Sequence, residues 1–111
     1  MKNLTPAELA AVAAVDRDRI AADLTALVRI ESVTGNESAV QTEAALRMAT
    51  AGLEVTRLDV DPNEILSDPD FPGLESPREE LPVVAGAAGR VGSPRRVIIA
   101  GHIDTVSAGA R

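Results

Sequence analysis

The chain has 111 residues, 45% apolar and 25% charged, with a formal net charge of −6, one Phe, no Tyr or Trp, no Cys and a single His. That length suits one small domain, the acidic balance argues against a nucleic-acid partner, and the missing thiols exclude disulfides and thiolate metal sites. A core must be built from Ala, Val, Leu and Ile, which bury less area than aromatic side chains, so a free-standing domain of this size has modest stability.

At the N-terminus, the apolar run from Leu9 to Val15 is short and is flanked by Glu8 and Asp16. A signal peptide wants basic residues ahead of a longer apolar core. No run approaches membrane-spanning length. The expectation is a soluble cytoplasmic protein with no membrane partner, which makes the glycosylation sequon Asn36-Glu37-Ser38 a chance match.

Thr5-Pro6-Ala7-Glu8 is a helix start: Thr5 can cap, Pro6 suits the first helical position and Glu8 completes a capping box. The helical pattern restarts at Asp16, after which Ile20, Leu24, Leu27 and Val28 share one face. Ser32-Val33-Thr34-Gly35-Asn36 breaks it, and a second helix begins near Glu37 or Ser38. Val40, Ala44, Met48 and Ala51 form its core stripe, and Gly52 ends it. Leu53 to Val60 reads as a strand whose alternation slips between Val55 and Leu58, the mark of an edge or a bulge. Residues 61–82 carry five prolines and read as one long irregular loop.

Two more strands are expected, Val83-Val84-Ala85 and Arg96-Val97-Ile98-Ile99-Ala100. The second is continuously apolar after Arg96, as strands buried on both faces are. The turn from Gly89 to Pro94 makes the two an antiparallel pair. The expected fold class is α/β: one domain over 1–111, two N-terminal helices packed on a partial mixed sheet of about three strands.

Chemistry concentrates at Gly101-His102-Ile103-Asp104. Ligand sites in α/β sheets lie beyond the C-terminal ends of strands. Side chains two apart in an extended chain share a side, so His102 and Asp104 face together and Ile103 turns into the core. A metal-binding imidazole needs its second nitrogen hydrogen-bonded, commonly to a carboxylate that fixes the tautomer. Asp104 could serve His102 in this way or ligate directly. The triplet alone is also compatible with a lone His and a turn Asp without metal.

Val97 through Val106 resembles the first metal motif of the acetylornithine deacetylase / succinyl-diaminopimelate desuccinylase family of zinc-dependent aminoacylases and peptidases. Leu27 through Glu37 is similar to that family's helix end and turn into the next helix. Asp68-Pro69-Asp70-Phe71-Pro72-Gly73 and Pro77-Arg78-Glu79-Glu80 resemble an insertion found in some deacetylase-like members. The likeness runs in family order from about residue 15 to the end. It implies the start of a zinc-hydrolase catalytic domain, with His102 a ligand of one zinc in a two-zinc site. Cobalt or another divalent metal is an alternative occupant. Asp104 joins the catalytic machinery as the carboxylate that orients His102. The implied substrates are N-acyl amino acids or short peptides. The chain departs from the family at Ser107, where Pro is usual, and at Ala110, where an acidic residue is usual; neither position ligates metal.

The remaining ligands and the catalytic Glu of such enzymes lie further along the chain than Arg111. The expectation is therefore an under-liganded, inactive fragment that self-associates through an exposed sheet edge. The alternatives are a small non-catalytic interaction module and one half of a split enzyme. Glu79-Glu80 reads as a solvated loop, because adjacent residues face opposite ways and the pair precedes the His. Gly86, Gly89 and Gly92 read as a strand turn, because no helix follows them to hold a phosphate.

Overall fold

In a computed structural model that describes residues 3–109, the elements run α1 (Pro6–Ala13), α2 (Arg17–Val28), α3 (Ser38–Thr50), β1 (Glu54–Val60), α4 (Pro62–Leu66) and β2 (Leu81–Ala87). The departure noted at Ala110 lies outside the described residues. The architecture is mixed helix and sheet, α/β in the broad sense.

Both early helix starts obey their local chemistry. The Thr5 hydroxyl accepts from the Glu8 backbone N–H while the Glu8 carboxylate accepts from the Thr5 backbone N–H, satisfying two otherwise orphaned donors. Asp16 caps α2 by accepting from Arg19 N–H at 3.0 Å. The break at Ala14–Asp16 makes α1 and α2 separate helices, so three helices precede β1 rather than two.

The expected face Ile20, Leu24, Leu27 and Val28 does not become a core. Ile20, Leu24 and Val28 stay more than half exposed, because α2 lies only lightly against α3 and makes no extensive contact with the sheet. An ion pair from Asp23 to Arg47 joins the two helices instead. On α3 the stripe is realised in part. Val40 is 1% exposed and is the one fully buried hydrophobic among the described residues. Ala44 and Met48 are half-buried and Ala51 is exposed. Gly86 lets α3 approach β2: a Cβ there would stand 3.0 Å from Met48 Sδ and 2.9 Å from Leu53 Cδ1.

The sheet differs from the expectation. It has two strands, not three, and is antiparallel, not mixed. β2 pairs with β1 in unbroken register from Glu54↔Ala87 to Val60↔Leu81. The slip in alternation therefore marks an edge strand and no bulge. Residues 61–82 are not wholly irregular either. Asp61 caps α4 and Pro62 opens it, the same grammar as Thr5-Pro6, and residues 81–82 already belong to β2. Gly86 likewise lies within β2 rather than in the turn.

Arg96–Ala100 forms no strand and pairs with nothing in the sheet. Val97, Ile98 and Ile99 are 88%, 90% and 93% exposed. A strand apolar on both faces needs a layer on each side, and the helix packed extensively on this sheet is α3. Pro82 within β2 also suits a strand with an open edge, since its ring removes a ladder donor. The radius of gyration, 17.7 Å, exceeds the roughly 13 Å of a compact chain near this length.

Candidate metal centre

Residues 102–105 are positioned by the turn after α2 rather than by a preceding strand. The two segments meet in a single isolated parallel bridge, Val33↔Thr105. Thr105 N–H donates to Ser32 O at 2.8 Å, and Thr34 N–H donates to Thr105 O at 3.2 Å. The Ser32 hydroxyl, on a buried residue, donates to Ile103 O at 3.2 Å. Segments some 70 positions apart are thereby tied by backbone and side chain together.

This clamp brings the two sequence-predicted site residues onto one side. His102 Nδ1 lies 3.0 Å from Asp104 Oδ1, as their period-2 spacing requires. The other carboxylate oxygen, Oδ2, accepts from the Thr34 hydroxyl at 2.8 Å. The Thr34 hydroxyl first, and the His102 ring second, hold the Asp104 carboxyl below its ordinary range. The imidazole is 86% exposed. With Nδ1 turned to the carboxylate, Nε2 is the nitrogen left for a ligand. Ile103 does not enter a core; it is half-buried and its carbonyl is held by Ser32.

A cavity of about 130 Å³ adjoins the pair, lined by Glu37, Gln41, Arg78, Pro82, His102, Ile103 and Asp104. Its wall holds the most enclosed ion pair described: Arg78 Nη2 donates to Glu37 Oε1 at 3.1 Å, with side chains 13% and 8% exposed. The same Oε1 accepts from Gly35 N–H at 2.8 Å. Arg78 Nε and Glu37 Oε2 are enclosed without partners. They are the two atoms that a side-on bidentate pair would join beside the Nη2–Oε1 bond; here that bond alone is formed.

Thr34, Glu37 and Arg78 are therefore neighbours of the site that sequence reading placed only in a helix break, a helix start and a loop. The available signal was the spacing of Ser32 and Thr34, which matches that of His102 and Asp104. Glu79 is exposed and Glu80 accepts from Ser38 at 2.8 Å, in keeping with a charged segment outside the site. Among the described residues no group of three His, Cys, Asp or Glu side chains stands close enough to hold a metal ion together. No helix among them is long and apolar enough to cross a membrane. No family model, curated protein or solved structure matches the chain.

Proposed function

We propose that the chain carries the first metal corner of a zinc-dependent amide hydrolase acting on N-acyl amino acids or short peptides. The observation that carries this reading is the His102 Nδ1–Asp104 Oδ1 contact at 3.0 Å on an open imidazole. A carboxylate behind one ring nitrogen selects the tautomer whose other nitrogen donates to metal and raises its basicity. His102 would hold the ion through Nε2, and Asp104, itself fixed by Thr34, would orient the ring. A bound zinc supplies Lewis acidity and a water of lowered pKa.

A catalytic zinc takes three protein ligands and one open position, and His102 is one donor. The 111-residue chain is thus expected to bind zinc weakly and to show no appreciable turnover. Calorimetric zinc titration of the chain and of His102→Ala tests this. Weak binding that disappears in the variant supports it; identical binding by both removes His102 from any metal role. Brisk hydrolysis of N-acetyl amino acids by the pure chain would overturn the expectation of inactivity.

The exposure of Val97–Ile99 favours a second reading, an interaction module or one half of a split enzyme whose other chain covers that segment. Activity restored by a second chain bearing further ligands distinguishes the split enzyme. Partner binding indifferent to His102→Ala distinguishes the module.

A further inference from the structure

The geometry points to Arg78 as a positioning residue for the His102–Asp104 pair, acting through Glu37 and the Gly35 turn. The path is contiguous. Arg78 Nη2 donates to Glu37 Oε1, which also accepts from Gly35 N–H. Gly35 follows Thr34, whose hydroxyl holds Asp104 Oδ2, and Asp104 Oδ1 faces His102 Nδ1.

A second observation places the same segment on the same turn. A Cβ at Gly35 would meet Ser76 Oγ at 3.1 Å and Pro77 O at 3.4 Å, so residues 76–77 lie directly against it. Gly35 has φ +97°, a conformation other residues adopt only with strain. The turn is closed at its base by Asn36 N–H donating to Val33 O at 2.7 Å, which leaves the Gly35 N–H to be held from outside that ring. The buried Glu37 carboxylate takes that donor at 2.8 Å, and Arg78 is its counter-charge. An enclosed carboxylate without a cation is costly, so the Arg78 guanidinium holds the Glu37 carboxylate in place against Gly35. The loop thereby sets which imidazole nitrogen carries the proton.

The chain's single histidine makes the test unambiguous. Long-range ¹H–¹⁵N NMR at about pH 9, where imidazole is neutral, reads the His102 tautomer in the full chain. The native chain is expected to favour Nδ1–H. Glu37→Gln combined with Arg78→Met removes both charges, so neither is left buried alone, while an acceptor for Gly35 remains. That variant is expected to shift toward the Nε2–H mixture of a free imidazole and to bind zinc about tenfold more weakly. Arg78→Lys, which keeps charge but not the fork, is expected to fall between. Arg57→Met removes an exposed guanidinium and should change neither readout.

A native tautomer ratio in the double variant, with the amide signals of α3 and the sheet unmoved, overturns the inference. Should the double variant lose its dispersed spectrum, Arg78→Lys decides by the same ratio. The zinc readout alone rests on the metal reading. A shifted tautomer with unchanged zinc affinity keeps the positioning role and removes the metal role. Weaker zinc binding without a tautomer shift overturns the positioning role.

Discussion

Ile99→Lys separates two opposite pictures of the segment before the site. Burying an isoleucine side chain is worth roughly 1.5–3 kcal/mol. Ile99 is 93% exposed, so folding gains at most about 0.2 kcal/mol from it on that scale. Replacement by lysine should therefore move a urea midpoint, followed by circular dichroism, by about 0.2 M or less. In a strand covered on both faces the same change would place an unpaired ammonium in an apolar layer, at a cost above about 4 kcal/mol. A midpoint falling by more than about 1 M refutes the exposed placement. The surface consequence is separate. An apolar run with open backbone edges invites pairing between chains, so sedimentation velocity should find concentration-dependent association in the native chain and less in Ile99→Lys.

Val40→Ala removes two methyl groups from the one fully buried hydrophobic described; transfer and cavity terms together cost about 2 kcal/mol, and an unchanged urea midpoint would show that α3 is not seated by this residue. Thr34→Val removes the first cause of the lowered Asp104 pKa, so that pKa rises toward 3.8. Because the folded-state pKa is depressed, the ordering Asp104 provides is complete above its ordinary pKa and is lost as pH falls through the depressed value. Loss should begin at a higher pH in Thr34→Val, as carboxyl ¹³C NMR titration would record; coincident titrations would remove Thr34 from the site.

Legibility followed range. Thr5, Pro6 and Glu8 sit within four residues of one another, and the cap they predict is the cap observed. Asp16 behaves the same way. A comparable cap at Asp61-Pro62 is masked in the sequence by the prolines around it, which make residues 61–82 look irregular throughout. The turn from Gly89 to Pro94 points Val83–Ala85 to the nearest following strand, whereas β2 pairs with β1 residue for residue over seven positions. Hydropathy marked Val97–Ile99 as core, but whether an apolar run is covered depends on how many layers reach it.

For the candidate site, sequence alone determined the pair: one histidine, a carboxylate two residues on, and an extended backbone that turns both to one side. Period-2 geometry is local, so it survived the loss of the strand expected to carry it. The tertiary structure alone decided what holds the pair. Thr34 bonds Asp104 from 70 positions away, Ser32 ties the flanking Ile103, and Glu37 and Arg78 line the adjoining cavity; a hydroxyl or a guanidinium carries no mark in the sequence of the partner it meets. Hydrogen-bond partners at that separation are set by where the backbone returns, which is a property of packing and not of neighbouring residues.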